Sequence, residues 1–145
     1  MVQTTRGIKN NNPLNMDFIL SEQPWLGEIR PSQDSRFAQF DTMAHGVRAA
    51  VKQILAYHTH HGVNTIGGII DKWAPPTENN TSAYRDFVCK YCNTQAADTF
   101  NFTDAGIFAK LIRAMSIEEN GHDQSATFIT DADILSGVTE AITAS

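Results

Sequence analysis

Cysteine is nearly absent from this 145-residue chain. Cys89 and Cys92 form a single Cys-x-x-Cys, and a zinc ribbon needs a second pair. A thioredoxin-like site would want a strand before the motif, whereas this one lies in a helical segment, so the two read as ordinary thiols. No block of basic residues occurs and the formal net charge is -5, so nucleic-acid binding has no electrostatic footprint. No apolar run reaches membrane-spanning length. The first residues carry no apolar core of a signal peptide, which implies that delivery across a membrane depends on something else. Internal repeats and low-complexity tracts are also missing.

What is present suits an ordinary globular protein of one domain over residues 1–145: 41% hydrophobic and 19% charged residues, in a chain long enough for a real core. The first forty residues are punctuated. Asn10-Asn11-Asn12-Pro13 is a turn signal, since Asn side chains mimic backbone turns and the residue before Pro avoids the helical region. Residues 18–20 and 36–40 are short candidate strands, separated by a loop bearing Trp25.

Helices then dominate. Asp41 and Thr42 offer an N-cap, apolar residues from Met43 to Leu55 follow at helical spacing, and Gly62 is a stop. Asn64 and Thr65 cap a short helix through Ile66, Ile69, Ile70 and Trp73, which Ala74-Pro75-Pro76 breaks. Ala83, Tyr84, Phe87, Val88 and Tyr91 give a third helix. Ile107, Leu111 and Met115 mark the inner stripe of a fourth, and Thr130 caps a fifth with Ile134, Leu135, Val138 and Ile142 inward. The expected architecture is mainly α, about five helices with a small irregular or β-containing N-terminal part.

Glu119 is the next step along the stripe of the fourth helix, just before Gly121. Burial disfavours a charged carboxylate, and so does the negative end of a helix dipole. Both favour a carboxyl group that is still protonated near neutral pH, as a general acid requires. The plainer alternative is a solvated Glu in a last turn, with Glu118 beside it. His58, His60 and His61 end a polar helix without an acidic or Cys partner at ligand spacing, so no metal site is expected; they read as cations favouring the dipole.

Several segments together resemble a phage-encoded, virion-associated protein family. They are Arg6-Gly-Ile-Lys-Asn-Asn-Asn-Pro13, Trp25-x-Gly27, Asp34-x-x-Phe37-x-x-Phe40, Gly46-Val-Arg-Ala49, Trp73-Ala-Pro-Pro-x-Glu-Asn-x-Thr81-x-x-Tyr84 and Glu119-Asn-Gly121. More loosely the chain resembles peptidoglycan-cleaving enzymes of lysozyme-like fold: goose-type lysozymes, lytic transglycosylases and bacterial glucosaminidases. Those place their acid at a helix end as Glu-Ser-Gly, which Glu119-Asn-Gly121 resembles. There the acid comes first; here it comes near the end, which suggests a circular permutant of an α+β lysozyme-like fold.

The resemblance implies cleavage of peptidoglycan glycan strands, as a lytic transglycosylase or a muramidase, with one Glu as acid and then base and no cofactor. Glu119 is the leading acid. Glu78 is the second candidate, or else a brace for the helix at Thr81. Tyr84 would position acid or substrate. Sugar binding falls to Trp25 and Trp73 as aromatic faces, and to Asn10, Asn12 and Asn79 as hydrogen-bond donors. Trp73 also fits a core position, and Asn10 and Asn12 also fit a turn. Arg6 and Arg48 are expected to pair with carboxylates. The implied partners are peptidoglycan and other virion proteins. The expected location is the virion, or the host cytoplasm with holin- or virion-mediated delivery to the periplasm. The rival reading is a structural virion protein that keeps the fold without activity.

Overall fold

The computed structural model describes residues 3–77 and 80–144. Its centre is α2, Met43–His61. The Thr42 side chain accepts the His45 N–H to start this helix, and Gly62 ends it in the left-handed conformation at φ 66°. Asp41, the other candidate cap, instead holds His45 Nδ1 at 2.6 Å. Val47, Ala50, Val51 and Ile54 are fully buried on the inner face of α2.

Two further long helices complete the core, and the second of them packs directly on α2. One is Ala105–Asn120, started by the Asp104 side chain on Ile107 N. The other is Asp131–Thr143, started by a reciprocal cap between Thr130 and Asp133. Phe108, Leu111, Ile112 and Met115 from the first, and Val138 and Ala141 from the second, are wholly buried. Burial of each large apolar side chain contributes about 1.5–3 kcal/mol. This shared core fixes where the end of the Ala105–Asn120 helix points, and so aims Glu119.

Seven helices occur among the described residues, two more than expected. In chain order they are α1 (Arg6–Lys9), α2, α3 (Ile66–Trp73), α4 (Thr81–Tyr91), α5 (Ala105–Asn120), α6 (His122–Phe128) and α7 (Asp131–Thr143). The additional two are α1 and α6, of four and seven residues. Neither is long enough to show a hydrophobic period. The Asn80 side chain caps α4 by accepting Ala83 N–H.

The β content is smaller than expected and differently placed. The candidate strand at 36–40 shrinks to β2, Gln39–Phe40, which pairs antiparallel with β1, Glu28–Ile29. The stretch at 18–20 forms no strand; only Asp17 makes an isolated bridge, to Phe37. A strand two residues long offers no alternation to read, so its partner is set by the loop's path.

Two apolar positions expected inward face solvent. Ile107 is 46% exposed and Leu135 50%. In α5 the core is reached by Phe108 and Ile112 as well as Leu111 and Met115, which rotates the buried face away from Ile107. In α7 it is reached by Ile134, Val138 and Ala141, leaving Leu135 outside.

Candidate active site

Glu119 lies in the last turn of α5, half-buried. Its carboxyl group meets donors from two distant parts of the chain. Asn15 Nδ2 donates to Oε1 at 3.0 Å. Tyr84 Oη donates to Oε2 at 3.0 Å from the inner face of α4. Burial raises the Glu119 pKa above the ordinary carboxylate range, and the neighbouring charge of Glu118 adds to the rise. The donors Asn15 and Tyr84, with a smaller contribution from Trp73, oppose it by favouring the ionised form. Tyr84 itself is held well above its usual pKa by burial and by the Glu119 charge, so it remains a donor.

The N-terminal turn is built to present Asn15. Asn12 is fully buried; its Nδ2 donates to Met16 O and Ala38 O at 2.9 and 2.8 Å, and its Oδ1 accepts Met16 N–H. Asn11 and Asn15 adopt positive φ, 50° and 54°, which Asn tolerates better than most residues. Leu14, 1% exposed, anchors the turn in the core.

Asn120 ties this turn to α5. Its Nδ2 donates to Pro13 O at 2.8 Å and Ser116 O at 3.1 Å, and its Oδ1 accepts from Thr5 Oγ1 at 2.7 Å. Gly46 lets α2 pass against the same turn: a Cβ there would lie 1.9 Å from Asn11 O.

Glu119 opens on a cleft of about 360 Å³. Trp25, Tyr57 and Trp73 supply aromatic surface, Phe37 adds a ring, and Asn15 and Gln53 add amides. Tyr57 and Trp73 meet edge to face, with centroids 6.2 Å apart. Asp17 and Arg36 also line the cleft and pair at 2.8 Å.

The sequence-derived candidates separate against this geometry. Glu119 and Tyr84 come together, and Trp25 and Trp73 line the cleft. Asn10 and Asn12 do not. Asn10 is buried and its Nδ2 donates to Asp34 Oδ2 at 3.1 Å, and the Asn12 amide is taken up within the turn. Glu78 and Asn79 lie outside the described residues. Arg6 and Arg48 do pair with carboxylates, Asp34 at 2.6 Å and Glu140 at 3.3 Å. Asn15, Asn120, Gln53 and Tyr57 are the residues that sequence reasoning passed over. For Asn15 composition gave no signal, because Asn10, Asn12 and Asn15 are all Asn in one turn.

With this geometry in hand, one relative stands out. Over 120 residues the chain is 34% identical to Protein P5 of Pseudoalteromonas phage PM2, covering 82% of this chain and 73% of that protein. The chain belongs to the Protein P5 family. No family model matches it.

Among the described residues no group of His, Cys, Asp and Glu side chains could hold a metal ion. His58 is occupied elsewhere, with Nδ1 2.7 Å from Val63 O and its ring stacked on Phe102. Cys89 and Cys92 are free thiols, and burial pushes Cys92 up to about 11, which leaves it a weak nucleophile at neutral pH. No helix among the described residues is long and apolar enough to cross a membrane.

Proposed function

We propose that this member of a phage protein family cleaves the glycan strands of peptidoglycan, with Glu119 as the single acid and base. One observation carries the reading. A half-buried carboxyl group of raised pKa, cradled by Asn15 and Tyr84, opens on an aromatic-lined cleft. The protonated Glu119 gives its proton to the bridging oxygen as the C1–O bond breaks and positive charge develops on the sugar. The resulting carboxylate is stabilised by the same two donors. It then takes a proton from the water whose oxygen bonds to C1, as in a hydrolase, or from the sugar's own 6-hydroxyl as that oxygen closes on C1, as in a transglycosylase. Trp25 and Trp73 provide faces against which sugar rings stack.

We read the fold as lysozyme-like in a permuted order. The support is that an acid near the end of the chain is held by an Asn near its beginning and a Tyr between them. Delivery to the periplasm, from the virion or through a holin from the host cytoplasm, belongs to the same proposal.

A second reading, a structural virion protein without activity, is favoured by one feature. Ile19, Leu20 and Leu26 are 47%, 70% and 51% exposed on the segment that forms one wall of the cleft, an apolar surface suited to protein contact. Turbidity of chloroform-treated Gram-negative cells separates the two. The wild-type protein clears the suspension and Glu119→Gln does not. An inert wild type at several pH values gives the structural reading, and an active Gln variant moves the acid to Glu78. Mass spectrometry of released muropeptides for 1,6-anhydro ends distinguishes transglycosylase from hydrolase.

A further inference from the structure

Gln53 and Tyr57 stand four residues apart on one face of α2, and both line the cleft onto which Glu119 opens. Both are half-buried. Neither the Gln53 amide nor the Tyr57 hydroxyl has a hydrogen-bond partner among the described residues. Polar ends that are neither sealed from water nor spent on the fold are available to a ligand. Two adjacent ones left open toward the same cleft are therefore placed for something that enters it. Some other polar groups around the cleft are engaged: Arg30 donates to Glu28, Glu22 O and Ile19 O, and Asn15 Nδ2 donates to Glu119, although Asn15 Oδ1 is buried without a partner among the described residues.

We infer that Gln53 and Tyr57 bind a secondary amide of the substrate, the 2-acetamido group of an N-acetylhexosamine, and so make the cleft selective for N-acetylated glycan. An acetamido group presents one N–H, one carbonyl oxygen and a methyl group. The Gln53 amide can accept from the first and donate to the second, and the Tyr57 hydroxyl is a further donor. The methyl group would rest on the edge-to-face pair of Tyr57 and Trp73, an apolar surface in the same wall. A site built to hydrogen-bond a substrate group discriminates strongly against an analogue that lacks it, because its own polar atoms are then left unpaired. This inference rests on the reading of the cleft as a glycan site. A stem peptide carries the same amide chemistry and is the competing source.

The test is a binding measurement on the Glu119→Gln protein, followed by tryptophan fluorescence, with three probes. These are chitotetraose, cellotetraose (a neutral β-1,4 tetramer with hydroxyls in place of the acetamido groups) and a soluble stem tetrapeptide. The expected result is that chitotetraose binds at least tenfold more tightly than cellotetraose. Gln53→Ala should then abolish that preference, with Tyr57→Phe reducing it. Equal binding of the two sugars, or a preference untouched by Gln53→Ala, overturns the assignment. So does tetrapeptide binding that Gln53→Ala removes, which gives the amide to the stem. Gln53 is mid-helix and Ala is the best helix former, so an unchanged thermal melt shows that the variant is folded. Clearing of cells by the wild-type protein is scored separately, so loss of the catalytic reading and loss of this assignment give different patterns.

Discussion

Replacing Asn120 probes how the candidate site is assembled rather than how it reacts. Its side chain donates to Pro13 O and Ser116 O and accepts from Thr5 Oγ1. It is the side chain next to Glu119 that bonds the N-terminal turn to the end of α5. In Asn120→Ala all three bonds go. The Ser116 carbonyl lies inside the helix and loses little, whereas the Pro13 carbonyl loses a donor at a buried site. Net hydrogen bonds contribute about 1 kcal/mol each and a stranded buried carbonyl costs about 1–3 kcal/mol, which places the total near 3 kcal/mol. For a domain of about this size, that corresponds to a fall in Tm of roughly 6–12 °C.

Asn120→Asp sharpens the expectation. It keeps the size and the acceptor for Thr5, but turns lone pairs toward two carbonyl oxygens. It should be less stable than Ala at pH 7 and recover as acid protonates the new carboxyl group. Circular-dichroism melts of the three proteins at pH 4 and pH 7 provide the measurement. A Tm for Asn120→Ala within about 2 °C of wild type, less than a single kcal/mol would produce, refutes the role given to these bonds. An Asp variant as stable as wild type at pH 7 refutes the donor direction.

Three other outcomes follow from the same geometry. Tyr84→Phe removes a donor that favours the ionised Glu119, so the Glu119 pKa rises further and the acid stays protonated to higher pH. The alkaline limb of the lysis profile should therefore move up, and a limb that stays or moves down is the contrary result. Glu119→Gln concerns stability: the folded-state pKa of Glu119 is raised by burial, so its stabilising contribution is complete below the unfolded-state pKa and is lost as pH rises through the folded-state value. The Gln variant should accordingly melt above wild type at pH 8, with the gap closing toward pH 4. Gly46→Ala would gain about 1 kcal/mol from helix propensity alone, but its Cβ would meet Asn11 O at 1.9 Å. Overpacking of that kind costs about 1–3 kcal/mol, and chemical denaturation should show a net loss.

The long helices were legible because each carries a period and a stop that belong to the local chain. Thr42, Thr65 and Thr130 accept the N–H groups that begin α2, α3 and α7, as their positions before apolar periodic runs imply. The short elements were not legible, since α1, β1 and β2 hold two to four residues each and take their shape from what they pack against. The candidate site divides in the same way. Glu119 could be singled out from its place on a helix stripe, and Tyr84 from its place after a polar loop. Asn15 could not be separated from Asn10 and Asn12 by composition, because all three are Asn in one turn and only the folded path shows which amide is left over. Gln53 and Tyr57 look like ordinary positions on a long helix until the cleft appears beside them.

By itself the sequence determined a mainly helical chain, the positions of its principal helices, and a carboxylate at the end of α5 where burial would raise its pKa. Helical periodicity and end-capping act within a few residues, so they survive in one dimension. Only the tertiary structure decided that this carboxylate faces Asn15, 104 residues away, and Tyr84, 35 residues away. It also decided that the cleft beside it is walled by Trp25, Gln53, Tyr57 and Trp73. Those contacts depend on how the shared core orients α2, α4 and α5, a property of packing between elements that no local pattern encodes.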